Sequence, residues 1–329
     1  MSADQTELFF QLKPESILDA VEAAIQREEP SLRCTGRALA LNSLENRVYD
    51  VELDDESHVV TKFYRPGRWT KEQIQEEHDF LFALDDAEIP VVSPYICGEE
   101  SVFTTKEGIF FTIFPKVKGR LMDELGADRI KTLGRYIGRI HNVGEHFPFR
   151  YRRALNARQW AEEPMEYILD SGLMDPLYHA RYEQVGRAIV ARAAAALESV
   201  PTLSLHGDCH LGNTLWQHES PFFLDFDDCM RGPAMQDIWM VVRGRGEEAM
   251  RDREILLEGY ELFRPFDRRE LSLLEPLRAL RMMHYSAWIA RRWDDPSFPQ
   301  AFPLFATPRY WSEEIQALQE ILALMEEGS

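Results

Sequence analysis

From Pro14 to Glu28 the apolar side chains Ile17, Leu18, Val21, Ala24 and Ile25 recur at intervals of three and four, the spacing of a helix with one buried face. Further on the period shortens. Between Leu39 and Phe114 the runs RVYDVEL, HVVTKFY and GIFFTIF are broken by turn residues and read as short strands, with one helical stretch at 70–86 inserted among them. A small sheet carrying one helix is predicted. After FPKVKGR the helical period returns: Ile130, Leu133, Ile137 and Ile140 share a face, and more helices are expected near 181–199, 235–243, 270–293 and 309–326. Only LSLH at 203–206 and FFLDF at 222–226 interrupt this as β-like runs. Pro115 and Gly119 punctuate the junction. The chain is therefore expected to divide into a β-rich part, residues 1–116, and a mainly helical part, residues 117–329.

Composition supports two parts. The chain has 329 residues, more than a single core of about 250–300 residues usually serves. Apolar residues make up 45% and charged residues 28%, the balance of a folded chain. With 56 acidic against 37 basic side chains the formal charge is −19, a field that repels nucleic acid and anionic membranes. The N-terminal MSADQTELFFQLKPES lacks the basic start and apolar run of a signal peptide, and no stretch approaches the roughly 18 apolar residues of a membrane helix. A cytoplasmic monomer with no nucleic-acid or membrane partner is expected. Cys34, Cys97, Cys209 and Cys229 stand singly, without a C-x-x-C spacing for zinc or redox work.

The chemistry concentrates in LHGDCHLGNTLW, residues 205–216, between the two β-like runs of the helical part. Asp208 and Asn213 lie five positions apart, and Asp225 follows on the next run. Phosphoryl transfer needs one group that positions a hydroxyl and accepts its proton, and oxygen ligands that hold Mg²⁺ against phosphates. D-x-x-x-x-N followed by an Asp supplies both. Asp and Asn also populate plain turns between strands. A third reading, a transition-metal site of His206, Cys209 and His210, lacks a spaced fourth ligand; His206 reads better as a buried histidine bracing the loop, and His210 as either a phosphate contact or a packing residue.

Two other places matter. Lys62 sits in an apolar run, where an ammonium needs an acidic partner or a polyanion. QIQEEHDFLFAL offers Glu76 and Glu77, of which Glu77 stands four and seven positions before Leu81 and Leu84; an edge-strand lysine reaching water is the alternative. LNSLENRVYDVEL occupies the place of a phosphate-covering turn, where Asn42, Ser43 and Asn46 could cradle phosphate or form a simple polar hairpin turn. Neither a P-loop nor a strand-to-helix G-x-G-x-x-G occurs. Arg65, Arg68 and Lys71 in RPGRWTKEQ read as a solvated turn into a helix, and Trp311, Ile315, Leu318 and Leu322 as a core stripe.

HGDCHLGN resembles the H-G-D-x-H-x-G-N loop of the aminoglycoside phosphotransferase and choline kinase-like family. NSLENRVY, KFYRPGRW, FLDFDD, GPAMQDIW and EPLRALRMMHYSAWIARRWDDPSFP further resemble the bacterial stress response kinases of that superfamily, over nearly the whole chain. The resemblance implies an α+β, bilobal protein-kinase-like fold, with a small N-lobe of antiparallel sheet and one helix and a mainly helical C-lobe. It implies ATP and Mg²⁺ as cofactors, Asp208 as catalytic base, Asn213 and Asp225 as metal ligands, Lys62 as phosphate anchor and Glu77 as its orienting partner. Phe114, Lys116 and Val117 would belong to the adenine-binding hinge, and Asp237 would brace the catalytic loop. The acceptor it implies is a protein Ser/Thr hydroxyl, the chain's own included. A small hydroxyl compound is the competing acceptor, which the acidic composition would fit if cationic; a nucleotide-binding pseudokinase is the third possibility, although Lys62, Asp208, Asn213 and Asp225 are all present. No Ser, Thr or Tyr lies between Asp225 and Asp237, so activation by phosphorylating that segment is excluded.

Overall fold

A computed structural model describes residues 9–10 and 12–327. The reading of the N-terminal stretch lies, for residues 1–8 and 11, outside the described residues.

The first helix, α1 (Pro14–Ile25), buries Ile17, Val21, Ala24 and Ile25. It packs on a sheet of five antiparallel strands: β1 (Cys34–Leu41), β2 (Arg47–Leu53), β3 (His58–Phe63), β4 (Phe103–Thr104) and β5 (Phe110–Pro115), in the order β1-β2-β3-β5-β4. Side chains alternate across the sheet. Val51, Val59, Phe63, Phe111 and Ile113 join α1 in a small core. The opposite set follows from the register: Val48 faces Lys62, Lys62 faces Thr112, and Asp50 and Phe114 flank Val60. That second face looks into the interlobe cleft.

Helix α2 (Lys71–Asp86) starts at a capping box, with Thr70 Oγ1 accepting from Gln73 N and Gln73 Oε1 accepting from Thr70 N. The box fixes the helix phase, so Ile74, Phe80, Leu81 and Leu84 are buried together with Glu76 and Glu77.

The remainder is mainly helical around a larger core. Its helices are α3 (Ala127–His146), α4 (Glu163–Asp170), α5 (Pro176–Glu198), α6 (Met235–Val241), α7 (Glu247–Tyr260), α8 (Leu274–Ala290), α9 (Ser297–Ala301) and α10 (Pro308–Glu327). Helix α7 falls where no helix is expected, because EEAMRDREILLEGY is dominated by charge and shows only a short apolar stripe. Its place is set by close backbone approach to α3. A Cβ at Gly134 would overlap Leu256 O, and one at Gly138 would lie 2.8 Å from Tyr260 O.

Around the motif the strand reading needs correction. Strand β6 (Leu203–Leu205) pairs with β9 (Met230–Gly232), and the motif runs directly into β7 (Thr214–Gln217), which forms a hairpin with β8 (Ser220–Phe223). The predicted run 222–226 stops at Phe223, since Asp225 has φ of +56° and leaves the extended conformation. Among the described residues no helix is long and apolar enough to cross a membrane.

Candidate active site at the interlobe cleft

The loop 206–213 hangs from one buried carboxylate. Asp237, in the first turn of α6, accepts from His206 N at 3.0 Å, Gly207 N at 2.9 Å and His141 Nε2 at 3.0 Å. His141 Nδ1 in turn meets Tyr260 Oη at 3.0 Å, tying the loop to α3 and α7. Gly207 has φ of +85°, and a Cβ there would overlap Asp228 O, so the turn admits only glycine. His206 is fully buried; Nε2 donates to Leu224 O at 2.9 Å and Nδ1 accepts from Asp208 N at 3.3 Å. Both its nitrogens are engaged, and burial pushes the Cys209 thiol well up. The ring lone pair of His206 is thus taken, and a thiol held protonated is a poor metal ligand.

That suspension presents Asp208 and Asn213. Asp208 meets Arg281 Nη1 at 2.8 Å and His210 Nε2 at 3.5 Å. Burial works against its ionisation, yet the His210 hydrogen bond and the charges of Arg281, His210 and His206 pull its carboxyl down to about 2. It is a carboxylate at any physiological pH. Asn213 Nδ2 donates to Asp208 O at 3.0 Å, which leaves the amide oxygen as its free ligand atom. Leu224 N donates to Asn213 O at 2.9 Å and so holds Asp225 beside it. The Asp225 side chain is half exposed and stands 3.5 Å from Lys62 Nζ. Backbone strain of this kind in a non-glycine residue concentrates at working sites.

Across the cleft, Lys62 Nζ lies 3.2 Å from Glu77 Oε1, 3.5 Å from Asp227 Oδ1, and over the Tyr64 ring at 4.8 Å. Burial disfavours its charge, but Glu77, Tyr64, Asp227 and Asp225 outweigh it and hold the ammonium well above its ordinary range. Of the two candidate carboxylates Glu77 makes this pair, and Arg152 Nη2 meets its other oxygen at 2.7 Å. Glu76 points elsewhere, accepting from Tyr151 N at 2.9 Å and Arg152 N at 2.7 Å.

Lys62, Phe114, Lys116, Val117, Asn213 and Asp225 line one cavity of about 400 Å³. Asn42 and Ser43 line it too; Lys116 Nζ pairs with Asp50 Oδ2 at 2.6 Å at its edge. Asn46 also faces it, and its amide bonds protein: Nδ2 donates to Asp227 at 3.1 Å and Oδ1 accepts from Arg65 N at 3.3 Å. Its backbone N–H goes to Ser43 Oγ at 3.2 Å. Asn46 thus braces the turn through these bonds, with one N–H of its amide still unassigned at the cavity it lines. A second cavity, about 370 Å³, shares Asn42, Ser43, Asn46 and Asp225 with the first and contains Asp208, Arg281, His284 and Trp288.

The solvated-turn reading of RPGRW fails. Arg68 meets Asp227 Oδ2 at 2.5 Å and Asp228 Oδ1 at 2.7 Å, and Arg65 meets Asp295 at 2.9 Å; both arginines are largely buried. Sequence reasoning thus misplaced Arg68 and gave no role to Arg152, Asp227 and Arg281, which the structure brings to the cleft. Of the last three, only Asp227 had a signal in the sequence, the run DFDD beside Asp225.

The chain is similar to known proteins over most of its length. Residues 37–274 match the model of the phosphotransferase enzyme family. Stress response kinase A of Escherichia coli (strain K12) is 37% identical over 320 residues, covering 97% of this chain and 95% of that one. The serine/threonine protein kinase RdoA of Salmonella typhimurium (strain LT2) is 36% identical over 325 residues, covering 98% and 97%. Among solved structures, amicoumacin kinase hAmiN with AMP-PNP, Ca²⁺ and Ami has a TM-score of 0.71 at 18% identity, covering 98% and 96%. Spectinomycin phosphotransferase APH(9)-Ia with ADP and spectinomycin has a TM-score of 0.64 at 16% identity, covering 93% and 98%. The chain thus belongs to the phosphotransferase enzyme family and, within it, is a relative of stress response kinase A.

Proposed function

We propose that this protein transfers the γ-phosphoryl group of ATP to a Ser or Thr hydroxyl of a protein. The observation that carries the reading is the meeting of the two cavities. Lys62 and Asn213 line the one that fits a nucleotide, Asp208 lines the one that opens to an acceptor, and Asp225 borders both.

In this reading the acceptor O–H points at the Asp208 carboxylate, which takes the proton as the oxygen forms its bond to the γ-phosphorus and the bond to the ADP oxygen breaks. Lys62, kept charged and oriented by Glu77, anchors the α- and β-phosphates. The donor set suits a hard cation: the Asn213 amide oxygen and the Asp225 carboxylate would hold Mg²⁺, with phosphate oxygens and water completing its shell. The ion would neutralise charge on the transferring group. Phe114, Lys116 and Val117 border the place for adenine, and Asn42 and Ser43 the covering turn.

The protein acceptor draws on the serine/threonine kinase name of the Salmonella relative. A second reading, a small-molecule hydroxyl acceptor, draws on the bounded cavity beside Asp208 and on the titles of the structural neighbours. Labelled ATP with Mg²⁺ is offered casein or myelin basic protein in competition with small amino alcohols and aminoglycosides. Label on protein, undiminished by the alcohols, is expected; turnover confined to the alcohols would replace the protein acceptor by the small one.

A further inference from the structure

One helix face remains without a role. In α8, Leu277, Leu280, Met283, Ala287 and Ala290 are buried in the larger core. Arg281, His284, Tyr285 and Trp288 fall at i, i+3, i+4 and i+7, on another face, and all four line the cavity that ends at Asp208. Aromatic rings form its walls: Trp160 stacks on His284 with centroids 4.5 Å apart, and Trp288 stacks on Tyr285 at 5.3 Å. His284 Nδ1 is buried and has no hydrogen-bond partner among the described residues. Burial and the charges of Arg291, Arg281, Arg68 and Arg153 hold its imidazole down at about 3, so it stays neutral with a nitrogen to offer.

By number the lining of this cavity is acidic, five carboxylates against Arg68 and Arg281, and what distinguishes Arg281 is its partner. Carboxylates do line the inner part of the cavity, but Glu45 faces Arg292 and Arg65, Asp227 and Asp228 face Arg68, and Asp225 borders the nucleotide side. Arg281 itself is paired with Asp208, the carboxylate that must face the acceptor hydroxyl. Hydroxyl and guanidinium therefore compete for one group. An anion on the acceptor relieves the competition, because a guanidinium exchanges one carboxylate for another of matching fork geometry.

We infer that the cavity beside Asp208 takes an acceptor whose hydroxyl lies next to an anionic group, and that Arg281 is the residue that reads that anion. The inference rests on the phosphotransfer to a hydroxyl proposed above and specifies its acceptor. The anion is a carboxylate flanking a Ser or Thr in a peptide, or that of a free hydroxy acid; the recognition chemistry is the same. A cationic acceptor, which the overall acidity would favour, places its ammonium against Arg281.

The full-length protein, with ATP and Mg²⁺, is tested on peptides with one Ser flanked by Asp and Glu, by Ala, or by Lys and Arg. A parallel arm uses serine and glycerate beside ethanolamine and choline, and ADP release reads every reaction. The acidic acceptor of at least one arm should show kcat/KM about tenfold or more above its neutral or cationic counterpart, the size of a charge-assisted contact. Which arm responds identifies the source of the anion. In Arg281→Ala that preference should collapse to within about twofold, chiefly through KM, while Arg281→Lys retains part of it. Nucleotide titration of both variants reports folding apart from acceptor use. Equal or better use of cationic acceptors, or an unchanged preference in Arg281→Ala, overturns the inference and leaves phosphotransfer standing. Absence of turnover with every acceptor overturns the phosphotransfer reading and this inference together.

Discussion

Removing the Asp237 carboxylate should cost more than almost any other single change in the helical lobe. Its two oxygens serve three buried donors, His206 N, Gly207 N and His141 Nε2, at 2.9–3.0 Å. In Asp237→Ala each donor is left in a site without solvent contact, at about 1–2 kcal/mol apiece, so a loss of about 3–6 kcal/mol is expected. Asp237→Asn keeps one oxygen but turns an N–H₂ toward donors, and should fall at about half that value. Urea unfolding followed by circular dichroism and by tryptophan fluorescence measures both, the two probes testing whether the lobes unfold together. The loop's placement should suffer beyond its stability: with Asp208 misplaced, kcat in Asp237→Asn should drop about 10–100-fold under conditions where the variant is folded. An Asp237→Ala protein that loses less than about 1 kcal/mol would refute the reasoning, since it would mean the three donors find other partners.

Other consequences are as definite. Glu77→Gln leaves the Lys62 ammonium and the Arg152 guanidinium buried against a neutral amide, and should destabilise the protein by about 3–5 kcal/mol while weakening ATP binding in a nucleotide titration. Glu314 gives a pH signature. Burial raises its carboxyl from 4.5 to about 7, with Ser286 Oγ donating to it at 2.9 Å. Below pH 4.5 the group is protonated folded and unfolded; as pH climbs toward 7 the unfolded chain ionises first, so stability falls across that window by on the order of 3 kcal/mol. Glu270, also raised to about 7 by burial, acts in the same sense. Thermal melts from pH 5 to 8 should show the decline, with Glu314→Gln removing about half of it; a slope unchanged in the variant would contradict the assignment.

Much of this architecture was readable where one periodicity dominates. The stretch at 70–86 reads as helix from its period, and α2 spans Lys71–Asp86, while the Thr70–Gln73 box that starts it came to light only in the structure. LHGDCHLGN fixed attention on Asp208 and Asn213 because small polar residues there have few purely structural reasons to cluster. What escaped notice was pairing across long sequence separations. Arg68 meets Asp227 across 159 positions and Arg152 meets Glu77 across 75, and no local spacing links such partners. Burial then converts what looks like a solvated charge run into a paired cluster. Asn46 carries contacts no local spacing announces: beside lining the cavity, its amide bonds Asp227 and Arg65 N. Arg281 was hidden inside a helix legible as helix, since periodicity separates a buried face from the rest but does not say what the second face meets.

The central claim is that Asp208 serves the acceptor hydroxyl while nucleotide is held by other groups. The most direct test is transfer of γ-labelled ATP to an acceptor by Asp208→Asn beside the unaltered protein, with nucleotide affinity titrated on both. The account predicts affinity within about twofold and a transfer rate lower by about 10²–10⁴. Transfer by Asp208→Asn at a rate comparable to the unaltered protein would contradict it.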